Sequence, residues 1–243
     1  MRSILALVAT IATIAFNGLA AAGYINGVTP EFISGKYPTV LTPAGYAFTI
    51  WSVIYLGMLA FSIYQLLPTN LTRFRPVRSL YILSSVLNCA WIYFWHREQI
   101  AVCLFLIFLL LITLILMLVR FRRPGAEGGP LFTKSVFGVY AGWVTAATLV
   151  NFAIFLKYLG VEMSTVTWNT FGVAFIILAA ALAVIVRLKL QNYLYPLAIG
   201  WAATAIAVKQ SGNTAIVVAS SVCVIVCLVM AVSFVLDQKS TTT

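Results

Sequence analysis

The chain reads as an all-α, polytopic membrane protein with about eight transmembrane helices, and three observations predict this. Of 243 residues, 63% are hydrophobic and 8% charged, with a mean hydropathy of +1.05, whereas an ordinary soluble domain is roughly 25% charged. Apolar runs of about 20 residues, long enough to span a bilayer, recur along the chain. The runs are also apolar on every side, as from Leu104 to Val119; a transmembrane β-barrel would need short segments of alternating polarity.

The first run, Ser3 to Ala22, follows Arg2 and ends in Gly18-Leu19-Ala20-Ala21-Ala22. That ending also suits a signal-peptide cleavage region, but the length favours a retained helix, and either reading places the N-terminus inside. Gly23 to Pro43 holds Gly27, Pro30, Gly35 and Pro38 and reads as a loop. The second helix spans about Ala44 to Leu67 and is stopped by Pro68, after which Arg73, Arg75 and Arg78 form a basic loop. The third runs to Trp95, His96-Arg97-Glu98 reverses the chain, and the fourth covers Ile100 to Val119. Pro124-Gly125 and Gly128-Gly129-Pro130 mark the next loop, framed by Arg120, Arg122, Arg123 and Lys134. The fifth helix spans Phe132 to Leu156, the sixth Trp168 to Val186, the seventh Tyr193 to Val208 and the eighth Thr214 to Leu236. The seventh is short, and Pro196 with Gly200 is expected to kink it.

Counting from an inside N-terminus, the even loops hold three, four and two Lys/Arg and the odd loops one each. This is the positive-inside distribution, and eight helices with both termini cytoplasmic satisfy it throughout. The net charge of +10 is therefore a topology signal. With no contiguous basic face or recognition motif, nucleic acid is not an expected partner. Cys89, Cys103, Cys223 and Cys227 lie in apolar runs and read as small hydrophobes; Cys223 and Cys227 share a helix face, but no His or acid accompanies them to make a metal site.

All five acids, Glu31, Glu98, Glu127, Glu162 and Asp237, fall in loops or the tail, and no basic residue is placed mid-helix. Proton pumps, ion-coupled carriers and voltage sensors keep ionisable groups within the membrane, so this pattern argues against them. It equally removes most acid–base chemistry, and the chain is read as no enzyme. The sole histidine, His96, reads as an exposed turn residue and Lys209 as a lysine snorkelling from a helix end.

What remains within the membrane is neutral and aromatic. Phe48, Trp51 and Tyr55 share one face of the second helix, behind Pro43 and Tyr46 at its mouth. Tyr81, Ser84, Asn88, Trp91 and Trp95 make a polar-aromatic face on the third, and Tyr140, Trp143, Ala147 and Asn151 do so on the fifth. Asn88 and Asn151 must find partners in hydrocarbon, either another helix or a ligand. At 1.5 Å per residue, Trp51, Asn88, Trp91 and Asn151 fall about 5–15 Å below the outer surface, beneath the Gly23–Pro43 loop. The expected arrangement is a lidded, apolar pocket with a few polar anchors.

These residues resemble the TspO/MBR family, the tryptophan-rich sensory proteins related to the mitochondrial translocator protein. Pro43, Phe48, Trp51 and Tyr55 answer its second-helix pattern, Leu87-Asn88-x-x-Trp91 its third, and Tyr140, Trp143, Ala147 and Asn151 its fifth. The chain departs from the pattern at Ala44, where a Pro-Pro pair is usual, and at Val139, where Pro precedes the Tyr. The likeness covers about Ser3 to Leu156, so residues 1–157 are expected to form the five-helix unit and 158–243 three additional helices with a short tail. Trp168 and Trp201 then lie outside the unit. The resemblance implies binding of a tetrapyrrole such as haem or protoporphyrin, with a sensory or transport-related role; the residues alone imply something flat or apolar. No cofactor is required on this reading. The expected partners are membrane lipid and one hydrophobic small molecule, with homodimerisation left open. The rival readings are a facilitator for a small uncharged or lipidic solute and, with less support, an intramembrane enzyme.

The charge bias fixes sidedness. A cysteine introduced at Gly128 is expected to resist an impermeant thiol reagent applied to intact cells; labelling from outside would overturn the topology.

Overall fold

The computed structural model describes residues 2–122 and 131–233, among which every regular element is helical. The order is α1 (Arg2–Ala21), α2 (Pro30–Lys36), a 3-10 turn (Gly45–Thr49), α3 (Ile50–Tyr64), a second 3-10 turn (Pro68–Asn70), α4 (Arg75–Trp95), α5 (Ile100–Arg122), α6 (Leu131–Tyr158), α7 (Thr165–Leu190), α8 (Leu194–Lys209) and α9 (Thr214–Val232). Among the described residues seven helical segments are long and apolar enough to cross a membrane, the 3-10 turn and α3 together forming one of them. The eighth expected span, α8, has 16 residues, or about 24 Å, and falls short of a hydrocarbon core of about 30 Å. The Pro/Gly stretch from Pro124 to Pro130, Arg123, Glu127, Asp237 and the expected helix end at Leu236 lie outside the described residues.

α1 packs on α3 and α4, α4 on α5, α5 on α6, and α6 returns to α3, which closes a ring of five helices. α8 lies against α6 outside this ring, while α9 and α7 pack on α8 and on each other. The small residues that let helices approach closely in lipid mark the joint. A Cβ at Gly142 would stand 2.4 Å from the Tyr195 backbone oxygen and 2.9 Å from the Ala198 Cβ. One at Gly138 would stand 2.0 Å from Asn192 Oδ1; Asn192 donates from Nδ2 to the Lys134 carbonyl (2.7 Å) and accepts from the first N–H groups of α8. Pro196 falls within the first turn of α8, where its missing N–H is no loss, so the expected kink has no cause there.

Three other expectations are corrected. Arg78 is no loop residue: it stands in the first turn of α4, buried, donating from Nε to Gln65 Oε1 (2.6 Å) and from Nη2 to the Gln65 carbonyl (3.2 Å) at the end of α3. Gln65 Nε2 in turn donates to the Ser3 carbonyl (2.8 Å), so one guanidinium organises the ends of α1, α3 and α4. Arg187 likewise lies in the last turn of α7, bonded to the Met230 carbonyl and Ser233 Oγ. The Gly23–Pro43 loop contains α2, for local reasons: Thr29 caps it by accepting from the Phe32 N–H (3.2 Å), Pro30 opens it, Glu31 sits in its first turn and Lys36 in its last.

Gly142→Ala is expected to wedge α6 from α8 and to destabilise the protein by about 1–3 kcal/mol. Gly18→Ala, where a Cβ would meet nothing within 4 Å, serves as the comparison in thermal unfolding in detergent. Equal midpoints would show that the close approach is not used.

Candidate ligand-binding site

The site is assembled where the loop descends into the bundle. Its rim, Thr42 to Thr49, is not the regular helix expected from Ala44; it runs extended through Ala44 and then turns as a 3-10 helix before α3 begins at Ile50. Pro43 offers no N–H to a helix here, and the Ala44 N–H donates to the Ala205 carbonyl of α8 (2.9 Å) instead. Phe48 therefore projects from a turn, with its ring 5.5 Å from Trp51 and 5.9 Å from Trp143, centroid to centroid.

Trp51 stands at the centre. Its ring lies edge-on to Tyr55 (6.2 Å) and to Trp91 (6.4 Å), and Trp91 stacks on Trp95 at 5.3 Å. Trp91 donates its indole N–H to Asn151 Oδ1 (3.2 Å), which joins α4 to α6. Asn88 accepts from Asn17 Nδ2 (2.7 Å) and donates to the Tyr140 hydroxyl (3.0 Å), joining α1, α4 and α6. Both asparagines are thus bonded to protein, the first of the two alternatives left open by the sequence.

The rings meet as expected, but they fill much of their own space. The cavity bounded by Pro43, Phe48, Trp51, Trp91, Trp143, Ala147 and Asn151 amounts to about 40 Å³, and the one beneath it, reaching Tyr55, Asn88 and Tyr140, to about 20 Å³. The roomy space is on the other side of Trp51. A cleft of about 530 Å³ opens between α1 and α3, walled by Phe48, Trp51 and Tyr55 on one side and by Ile14, Asn17, Gly18 and Ala21 on the other, with Thr29, Pro30 and Glu31 across its end. Small ligand sites run from about 300 to 1,000 Å³, so of the three spaces that Trp51 lines this cleft is the one large enough as it stands; a polar vestibule of about 650 Å³ adjoins it beyond Glu31, lined by Lys36, Thr42, Pro43, Gly45 and Lys209. The outer edge of the cleft carries exposed Gly18, Ser52 and Leu56 and faces the lipid.

Of the eleven expected residues, ten line these adjoining spaces. Tyr46 is the exception: it turns to α8, edge-on to Trp201 at 5.4 Å. The α1 wall was not anticipated, although Ile14, Asn17, Gly18 and Ala21 recur at helical spacing. Trp201 was placed outside the site, yet its indole N–H donates to the Ala47 carbonyl in the rim (3.0 Å), while Ala202 and Ile206 close the Trp-lined cavity. Gln210 Nε2 holds the Thr39 and Thr42 carbonyls (3.0 and 3.4 Å). Trp168 stays apart, packed on Phe171 and under Lys157.

α2 is fastened across the end of the bundle. Trp95 Nε1 donates to the Pro30 carbonyl (3.1 Å), Asn26 Nδ2 to the His96 carbonyl (3.0 Å), and Glu98 receives both Lys36 Nζ and the Tyr37 hydroxyl, each at 2.7 Å. His96 is consequently fully buried rather than exposed, with Nδ1 2.8 Å from the Ile92 carbonyl; Glu98, at φ +54°, turns the chain back directly behind it. The hydrogen bonds from Lys36 and then Tyr37 hold the Glu98 carboxyl below its usual range, against a smaller opposing effect of burial. Burial, and then the bond to Glu98, pushes Tyr37 up to about 12.

Five membrane helices closed into a ring, with a ring-walled cleft beneath a fastened loop helix, define a multi-pass membrane protein. In comparison with known families, the sequence model described as TSPO-like protein matches residues 3–233, and the chain belongs to that family. The match does not stop at Leu156, where the motif resemblance ends, but continues through α7, α8 and α9. No curated protein and no solved structure matches the chain.

The clamp has a pH signature. A carboxyl held low contributes its stabilisation fully above the ordinary glutamate pKa of about 4.3 and loses it as the pH falls through the lowered folded value. Hydrogen-exchange protection of the α2 amides, taken relative to the intrinsic rate at each pH, is therefore expected to be high at neutral pH and to fall under acid. Glu98→Gln is expected to lower it at neutral pH and to flatten its acid dependence; an unchanged profile would show that Glu98 does not secure α2.

Proposed function

We propose that this membrane protein binds a flat, hydrophobic aromatic ligand of the tetrapyrrole class in the α1–α3 cleft, in a sensory or transport-related role, with both termini cytoplasmic. The observation that carries the reading is the 530 Å³ space walled by Phe48, Trp51 and Tyr55 and open along its lipid edge. Three rings on one wall offer stacking area to a planar ligand, and the small residues of α1 opposite leave it room. The family supports the ligand class, since the resemblance of these motifs implies tetrapyrrole binding. The distribution of Lys and Arg among the loops supports the orientation, which counts the short α8 as the eighth crossing. The reading is of a binding protein rather than an enzyme, because apart from Glu31 at the mouth the walls are built of rings, one amide, hydroxyls and aliphatic residues, with no paired acid and base.

Titration of the purified protein with haem and protoporphyrin, followed by visible absorbance and Trp quenching, tests the reading. Stacking is worth about 1–3 kcal/mol per aromatic platform by analogy with bases, so Trp51→Ala is expected to weaken binding about 5- to 150-fold. Trp91→Ala and Trp143→Ala act behind the wall and are expected to cost less. Trp201→Phe, which loses the bond to the rim, is expected to weaken binding, and Trp168→Ala to leave it unchanged. Equal losses from all of these substitutions would mean nonspecific adsorption, and the site would have to be abandoned.

A further inference from the structure

The cleft does not end at α2. Thr29, Glu31 and Phe48 line both it and the polar vestibule, so the two spaces of about 530 and 650 Å³ adjoin, and they differ in charge. Among the described residues no Lys, Arg or His lines the cleft, whereas Lys36 and Lys209 line the vestibule. A carboxylate carried wholly into the cleft would lie against rings and aliphatic groups with no cation to meet, where an unpaired charge is costly. Haem and protoporphyrin bear their carboxylates along one edge of the ring. A ring stacked on Phe48, Trp51 and Tyr55 avoids that cost when its acid edge is turned to the vestibule.

The two lysines there are not equivalent. Lys36 is paired with Glu98 at 2.7 Å and belongs to the fastening of α2. That is the one ion pair among the described residues, which leaves Lys209 without a carboxylate partner. Lys209 stands in the last turn of α8, at an end that is tied to the rim. The Ala205 carbonyl accepts the Ala44 N–H, and Gln210 Nε2 donates to the Thr39 and Thr42 carbonyls. The base of the Lys209 side chain is thus fixed near Thr42 and Pro43, which line the same vestibule. Glu31, exposed at the boundary of the two spaces with its carboxylate against Gly45, is the opposing charge. Neutralising Lys209 and neutralising Glu31 should therefore act on an acidic ligand with opposite signs.

We propose that the site takes an acidic amphiphile across both spaces, with the flat apolar ring in the cleft and a carboxylate held by Lys209 in the vestibule. This rests on the cleft being the binding site, and it adds the end of α8 as the anchor for the acid edge of the ligand.

The test compares protoporphyrin with its dimethyl ester, which keeps the ring and removes its negative charges, on the full chain in one detergent at low ionic strength, followed by Trp quenching. Lys209→Gln is expected to weaken the acid about 3- to 10-fold and to leave the ester unchanged. Lys209→Arg is expected to retain the acid, and Glu31→Gln to tighten the acid alone. Arg97→Gln removes an exposed cation that lies over Tyr93 and does not line the vestibule, and is expected to change neither ligand. A loss of the acid from Arg97→Gln as large as that from Lys209→Gln would mean attraction by net charge and would overturn the anchor. Lys209→Gln shifting acid and ester alike, or neither, would also overturn it, while the cleft would stand if the ester still bound the wild-type protein and was weakened by Trp51→Ala. Failure of both acid and ester to bind the wild-type protein would overturn the site itself.

Discussion

Burying amides in hydrocarbon imposes the constraint on which this bundle depends, because no water is present to pair them. The row Asn17–Asn88–Tyr140 crosses the ring from α1 through α4 to α6. The same α1–α4 seam pairs the Thr10 and Tyr81 hydroxyls and brings Cys89 Sγ 3.6 Å from Thr13 Oγ1. Interhelical hydrogen bonds in membranes are worth only about 0.6 kcal/mol each on average, so the seam adds little to overall stability. Its effect lies in register: sliding α1 by one turn would leave several buried polar groups unpaired at once, each at a cost of about 1–3 kcal/mol. Arg78 and Gln65 fix the other end of the same helices, and the register of α1 decides the depth at which Asn17 and Gly18 face Trp51.

That pairing also divides the aromatic residues into two classes. Trp91, bonded to Asn151 and stacked on Trp95, is committed to the bundle, and Asn88 is engaged by Asn17 and Tyr140. Phe48, Trp51 and Tyr55 share their inner faces with this core and present their outer faces to the cleft. The inner rings hold the wall in place, and the wall is where a ligand has area to touch.

Hydropathy and charge gave away most of the fold, since a helix of about 20 apolar residues has no alternative in a bilayer. The meeting of Trp51, Trp91 and Asn151 is legible from helical spacing and depth, which follow from geometry alone, whereas Trp143, a turn or two deeper by the same measure, comes within 5.9 Å of Phe48. What spacing does not contain is which helices are neighbours. The face of α1 at Ile14, Asn17, Gly18 and Ala21 carries small, unremarked residues, and only its position opposite α3 makes it a wall. His96 and Arg78 were misplaced for a related reason: sequence marks the end of an apolar run, whereas burial is set by what folds over that end, here Asn26 at one turn and Gln65 at the other. α2 was missed because seven residues are too few to show a period, though its Thr-Pro-Glu opening carried the capping signal.

The same limit explains the last helices, which sequence set apart as an appendage. α8 is too short to span a bilayer comfortably and would be a poor membrane helix alone, but one face of it completes the site. Trp201 and Gln210 hold the carbonyls of Ala47, Thr39 and Thr42, Ala205 receives the Ala44 N–H, and Ala202 with Ile206 closes the ring-lined cavity. An extended rim whose backbone groups cannot pair within a helix needs outside partners when it is buried, and α8 supplies them. α9 and α7 then cover the rest of α8, with Gly200 allowing α9 close: a Cβ there would lie 3.3 Å from that of Cys227. The rim conformation that projects Phe48 into the cleft therefore depends on the C-terminal helices, and the candidate site is held by them as well as by the first five membrane helices.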